Sequence, residues 1–563
     1  MLRDGAYRDN KRIESRAKGF MSGVLLLSLS TLLVKIIGLA FKIPMLSFLG
    51  TEGMGYFNSA YEIYALLCTV STAGLPVALS MLVSAARTRG DGEGIKRIYR
   101  TAKLLFLALG GAGSALMLIF ARQLSVLIGN PDAYMCIMAI APALLFICMA
   151  SAVRGYCQGF ENMTPTAVSQ LIEAISKLLL GIVFARAAIK KGYGVPAIAA
   201  FAVLGVTVGT LLSALYLGFA RIKIRKAEKE VAKNGSRRGK VLTPLVKIAF
   251  PITLGSALLG VTRIIDMTLI MRRLGDIGVS VAQANRIYGA YTTLALPVFS
   301  LIPALITPVS MALVPQLVSF IEEKNGVGQR TVLENSMRLT VLFAMPSSLG
   351  LAAFSRPVLE ILFRGQSEAI DIAAPLLAVL GISVLFSCLI TTTNAIIQAY
   401  GRPSLPIFSM LVGVLVKLAV SYVLIGNPSV GVMGAPIGSL ACNVAVTAIN
   451  LYFTGKNSSC AFDVRTVFFK PVWVSLLSVG ASLAIYVGVF SFAQNLYLSF
   501  AIALVAAVTS YLAFSWLIRS ITVEDISLLP FGERIAGALI KNKEKDKSCG
   551  GKNDCKRNEE GTS

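Results

Sequence analysis

The feature that most constrains this chain is the recurrence, from end to end, of apolar runs of about 20 residues, each long enough to cross about 30 Å of hydrocarbon as a helix. Fourteen runs can be read along the 563 residues, with approximate limits 20–44, 56–84, 101–121, 132–153, 165–187, 195–219, 243–271, 284–317, 331–354, 370–399, 404–426, 431–454, 470–491 and 494–518. Almost nothing remains for a separate soluble domain. Only 15% of the residues are charged, against about 25% in ordinary soluble domains. The predicted fold is therefore an all-α integral membrane protein with about fourteen transmembrane helices. The first run carries Lys35 and has no small-residue cleavage pattern after it, so it is expected to remain in the mature protein rather than act as a signal peptide.

The net charge of +24 raises the question of nucleic acid, but its distribution answers otherwise. Lys and Arg gather in alternate connections: "RDNKRIESRAK" at the N-terminus, "RTRGDGEGIKRIYR" at 87–100, "RIKIRKAEKEVAKNGSRRGK" at 221–240, and the C-terminal tail. By the positive-inside rule both termini are cytoplasmic and the number of spans is even, placing the chain in the cytoplasmic membrane. Basicity reports topology first and attraction to anionic lipids second, with no nucleic-acid partner. The nine cysteines show no CxxC spacing and there is no histidine. A disulfide framework, a metal cluster and the usual general base are thus excluded from the reading. The stretch nearest to a Walker A loop, "GSRRGKV" at 235–241, fails in spacing and in its final residue. Neither an enzyme nor an ATP-driven pump is expected, and no cofactor is implied; sodium or proton coupling stays open.

The charged linker at 220–242 divides the chain into six spans (20–219) and a further set, of which six (243–454) repeat the first. Shifting by 240 residues superposes Gln158 on Gln398, Ser169 on Ser409, Lys177 on Lys417, Gly194 on Gly434 and Pro196 on Pro436. With small gaps, "VKII" at 34–37 matches "TRII" at 262–265, pairing Lys35 with Arg263, and Glu62 pairs with Arg286. Matching spans lie an even number apart, so the halves share one orientation: a parallel repeat with a substrate path between two six-helix lobes. The spans at 470–518 lie outside the duplication and read as lipid-facing additions. The segment 1–19 is a basic cytoplasmic N-terminus, and the tail 519–563 ends too polar to bury a core.

Charges inside spans are costly and usually face a bundle interior or aqueous cavity. Here they are Lys35, Lys42, Glu62, Glu173, Lys177, Arg263, Asp266, Arg286 and Lys417. Lys35 and Lys42 are seven residues apart and project within about 20° of one another on a helix. Lys35 is deep enough for a cavity role, whereas Lys42 is divided between a cavity and snorkelling to the interface. Glu173 and Lys177, at i and i+4, have the order of an intrahelical pair or of substrate contacts. Lys417 lacks that acid, because position 413 is glycine, and Arg263 and Asp266 at i, i+3 carry the same ambiguity. Arg286 opens a long span interrupted by Pro297, Pro303 and Pro308, which suits a bending element. Lys35, Arg263 and Arg286 would form a basic surface where the halves meet, fitted to a phosphorylated anion, with Glu62 and Asp266 balancing charge in the empty state.

The stretches "SLSTLLVKIIGLAFKIPMLSFLGTEGMGYFNSAYEIY", "RGYCQGFENMTPTAVSQLIEAISK" and "ANRIYGAYTTLALPVFSLIPALITPVSMALVPQL" resemble the SpoVB-like and MurJ-like branch of the multidrug/oligosaccharidyl-lipid/polysaccharide exporter superfamily. The resemblance covers the chain to about residue 520. It implies a V-shaped pair of six-helix lobes that alternates access and flips an undecaprenyl-diphosphate-linked sugar, such as lipid II or a related peptidoglycan or spore-cortex precursor. It also implies a lipid-tail groove from the last two helices, and diphosphate contacts at Lys35 and Arg286, with Lys42 one residue off a third position. The basic residue that MurJ-like proteins carry in span two has no counterpart near "YALLCTV", which bears on which lipid-linked glycan is taken.

Two other readings stand beside the flippase. One is a cation-coupled antiporter of the same fold, using Glu62, Glu173 or Asp266 as the coupling carboxylate; a net acidic cavity would favour it. The other is a membrane scaffold for cell-wall enzymes, binding them through the basic linker and tail.

Overall fold

The computed structural model describes residues 2–231, 241–457 and 468–517, with side chains over most of 29–222, 241–457 and 468–517. Residues 232–240 of the basic linker, the connection 458–467 and the tail from 518 lie outside the described residues.

Among the described residues thirteen helices are long and apolar enough to cross a membrane. The first of these, Leu29–Thr88, is 60 residues long, more than enough for two crossings at about 20 residues each. Within it, α1 (Leu2–Thr72) is broken at Gly50, whose φ of 63° only glycine adopts without strain, and α2 (Gly74–Thr88) follows. The first half continues with α3 (Gly92–Ile119), the short α4 (Ala121–Leu127), α5 (Tyr134–Gly159), α6 (Thr164–Lys190) and α7 (Val195–Val231). The second half holds α8 (Leu242–Asp276), α9 (Val281–Ala290), a π-helical turn at Tyr291–Ala295, and α10 (Leu296–Glu322). It then runs through α11 (Gly326–Ala353), α12 (Ser355–Leu362), α13 (Ser367–Ala399), α14 (Ser404–Ile425) and α15 (Gly434–Asn457). Two further helices close the chain, α16 (Lys470–Ala493) and α17 (Leu496–Leu517).

Packing repeats between the halves. The pairs α1–α6, α3–α5, α5–α7 and α6–α7 recur as α8–α14, α11–α13, α13–α15 and α14–α15. Local details recur too. The Asp91 side chain caps α3 by accepting from the Gly94 N–H, and Asn325 caps α11 by accepting from Gly328. Each of those helices ends at a phenylalanine, Phe120 or Phe354, that starts a short helix. Apolar side chains face outward in number: Leu104, Phe219, Val423 and Trp516 are all exposed. In lipid such a face has no cost, so helix pairs are held by small residues and internal hydrogen bonds. The α16–α17 pair shows this, with Ser478 and Ser482 donating to the carbonyls of Ala507 and Ala503. It docks on α11, where the Tyr511 hydroxyl donates to the Leu342 carbonyl.

The halves meet closely at the Gly50 end of α1. Gly289 presses on the Thr51 carbonyl, and Gly55 lies against Asn285 so tightly that a side chain at either would collide with backbone. Asn285 donates to the Glu52 carbonyl and accepts from Asn130, itself bonded to Ser59.

Candidate functional site

Below that contact, a cavity of about 1150 Å³ opens between the halves. Its walls come from α1, α6, α8, the π-helical turn and α10, with α13, α14 and α15 completing the far side. Lys35, Lys42, Lys177, Arg263 and Lys417 line it, against two carboxylates, Glu62 and Asp266. The periodicity argument thus delivers Lys35 and Lys42 to one wall, and the duplication delivers Arg263 opposite.

Three contacts hold these charges. Lys417 Nζ donates to Asp266 Oδ2 at 2.6 Å, with both side chains buried. Arg263, largely exposed to the cavity, stands 3.9 Å from the partly buried Glu62. Lys177 Nζ lies 4.5 Å above the Tyr61 ring and 5.3 Å from Phe41, a cation–π arrangement. Asn58 adds a neutral bridge across the halves, donating to Thr292 and Thr293 hydroxyls at 2.9 Å each.

Lys42 has a more particular partner. Its ammonium donates to the Thr292 carbonyl at 2.6 Å, and the local backbone explains why that oxygen is open. In the turn Tyr291–Ala295 the helix bonds five residues back, with Leu296 N–H reaching Tyr291 O. The next donor in that register is Pro297, which has no N–H. Lys42 supplies the missing proton donor from the opposite half. The break in this span therefore lies at the π-helical turn beside Pro297, whereas α10 runs on through Pro303 and Pro308.

Two expectations need correction. The intrahelical pair of Glu173 and Lys177 does not form. Glu173 is taken by Arg154 on α5 at 3.0 Å, with Ser169 and Ser213 completing the guanidinium's contacts. Glu173 does not line the cavity. Nor does the structure bring Arg286 there: on α9, beyond the glycine contact, it faces Glu52 at 3.5 Å and Glu368 at 3.9 Å, about half exposed. Ion pairing with acids at that end of the halves holds it away. Sequence reasoning missed Arg154 because it placed the end of the fourth span one residue short, while α5 continues to Gly159. It also missed the neutral polar lining, Asn394, Gln398 and Asn443, which apolar windows conceal.

Among the described residues no cluster of His, Cys, Asp and Glu is arranged to hold a metal. With five basic side chains against two carboxylates in its lining, the cavity suits an anion, held by charge and hydrogen bonding between two halves packed alike.

Known proteins share this architecture. The family described as "Polysaccharide biosynthesis protein" matches residues 20–321, and the MatE family matches residues 251–423. Stage V sporulation protein B of Bacillus subtilis (strain 168) is 28% identical over 539 residues, covering 92% of this chain and 99% of that protein. Lipid II flippase MurJ of the same organism is 24% identical over 485 residues, covering 83% and 87%. Among solved structures, a lipid II flippase MurJ in an inward closed conformation superposes with a TM-score of 0.63 at 16% identity, over 88% of this chain and 99% of that one. An inward-facing MATE transporter of the MOP superfamily gives 0.63 at 14% identity, over 78% and 98%. Of these, the MurJ proteins are named as lipid II flippases and the MATE protein as a multidrug resistance transporter. With more than half its length matched, the chain is a multi-pass membrane protein that belongs to the polysaccharide biosynthesis protein family.

Proposed function

We propose that the protein moves an undecaprenyl-diphosphate-linked sugar, lipid II or a related peptidoglycan or spore-cortex precursor, from the inner to the outer leaflet by alternating access. The observation that carries this reading is the sign of the cavity: five basic side chains against two carboxylates, at the junction of two halves. A diphosphate offers the opposite charge and several acceptor oxygens, which ammonium and guanidinium groups match. Lys35 and Arg263 are the exposed cations of that wall, and Lys42 would complete the donors once drawn from Thr292. Arg286 would join at a later stage, when its pairs with Glu52 and Glu368 separate.

The antiporter reading loses ground on the same geometry. Asp266 already holds Lys417, Glu62 faces Arg263 and Glu173 is held by Arg154 away from the cavity, so each candidate coupling carboxylate already has a cation beside it. In the natural host, cell-wall synthesis enzymes would be the neighbours that supply and consume such a substrate.

The test is complementation. In a flippase-depleted Bacillus strain the wild-type gene should restore growth, and Lys35→Ala combined with Arg263→Ala should fail to do so at equal protein level. Full rescue by that double variant would remove the basis of the assignment.

A further inference from the structure

The duplication leaves two equivalent lysines in unequal surroundings. Lys177 on α6 and Lys417 on α14 match at the 240-residue shift, each on the helix that packs against the first helix of its half. Lys417 is neutralised by Asp266 at 2.6 Å. In the first half the residue matching Asp266 is Gly38, three past Lys35 as Asp266 is three past Arg263. Gly38 lines the cavity, and a Cβ added there would meet nothing within 4 Å. The carboxylate is missing and its space is open.

The first half does carry an acid one helical turn before Lys177, but Arg154 holds Glu173 at 3.0 Å. The positions matching Arg154 and Glu173 in the second half are Asn394 and Gly413. Each half thus ties one of its in-span acids to a base on another helix, Glu173 to Arg154 and Asp266 to Lys417, using different residues. What is left over in the first half is Lys177, over the faces of Tyr61 and Phe41, ion-paired with no carboxylate among the described residues. Ring faces offset only part of the cost of an ammonium at that depth; a guest anion would offset the remainder.

We propose that Lys177 is a further ligand for the lipid diphosphate, so that the anion seats on Lys35, Lys42 and Lys177 of the first half with Arg263 beside them, while Lys417 stays with Asp266 and takes no part. This rests on reading the cavity as a diphosphate site. The repeat also gives Gly38 a purpose: it leaves without a carboxylate the place from which Asp266 holds Lys417 in the second half.

The experiment is native mass spectrometry of the full chain with undecaprenyl diphosphate, and with undecaprenol as the uncharged control. Wild type should prefer the diphosphate. Lys177→Met should weaken diphosphate binding by about 10-fold or more, as loss of a charge-assisted hydrogen bond does, and Lys177→Arg should retain it. Gly38→Asp should match Lys177→Met, because the new carboxylate claims the ammonium, whereas Gly38→Asn, equal in size, should bind like wild type. A diphosphate preference in wild type that survives undiminished in both Lys177→Met and Gly38→Asp overturns the inference and leaves the flippase reading standing. Equal loss in Gly38→Asn and Gly38→Asp also overturns it, since size would then be the cause. Failure of wild type to prefer the diphosphate overturns the flippase reading, and the inference with it.

Discussion

Removing Lys417 would leave Asp266 charged, buried and without its partner, and the second carboxylate oxygen already has no hydrogen bond. Breaking such a pair costs about 3–5 kcal/mol, whereas replacing both members by neutral groups costs far less. Lys417→Met is therefore expected to lower the thermal unfolding midpoint in detergent sharply, and Lys417→Met with Asp266→Asn to recover most of the loss. Equal midpoints for the single and double variants would show that the pair is not coupled. The two residues are 151 apart in sequence, which is why the sequence identified each as a buried charge but not the bond between them. The Glu173 and Lys177 spacing pointed to each other with equal force, yet Arg154 on a different helix won the acid. Spacing along one helix says which side chains share a face. It does not say which neighbouring helix brings a better partner.

The π-helical turn shows what a single element can reveal. If Lys42 serves as the donor that Pro297 cannot be, Lys42→Met leaves the Thr292 carbonyl unsatisfied, at a cost of about 1–3 kcal/mol. Adding Pro297→Ala to that variant restores an N–H in the right register, so part of the lost thermal stability should return. No recovery would mean that the turn does not depend on this oxygen. The lengths of the spans were legible because hydrocarbon thickness dictates them, and the predicted limits of the last two spans, 470–491 and 494–518, agree closely with Lys470–Ala493 and Leu496–Leu517. The turn itself was not: prolines at 297, 303 and 308 advertise a break equally, and only the packing of α1 against the second half selects the first. The end of α5 was misplaced by the same averaging, since a hydropathy window cannot see that a guanidinium at Arg154 is paid for by Glu173, Ser169 and Ser213.

At the scale of the molecule, two halves packed by the same helix pairs line a basic cavity, and Gly55 and Gly289 pack tightly across the halves a few residues from its lining residues Asn58 and Thr292. That contact tolerates no side chain, so Gly289→Ala is expected to slow transport by disturbing closure while Gly350→Ala, where a Cβ meets nothing within 4 Å, leaves it unchanged. Equal effects of the two, in a vesicle transport assay, would count against a close-packed gate. The duplication was legible from identities at Gln, Lys, Gly and Pro, whereas Arg286's position beyond the glycine contact was not, because the repeat fixes which helices correspond and not which end of each faces the cavity. An anion leaving a negative interior gains about 2.3 kcal/mol per charge per 100 mV, enough to bias a diphosphate outward without ATP. The most direct measurement is therefore lipid II accessibility in proteoliposomes, read by an enzyme confined to one side, with and without an imposed potential. The account predicts translocation that requires the wild-type protein, accelerates when the side of origin is negative, and falls toward the protein-free rate in Lys35→Ala with Arg263→Ala. Translocation no faster than in protein-free vesicles, or unchanged when the cavity cations are removed, would contradict it.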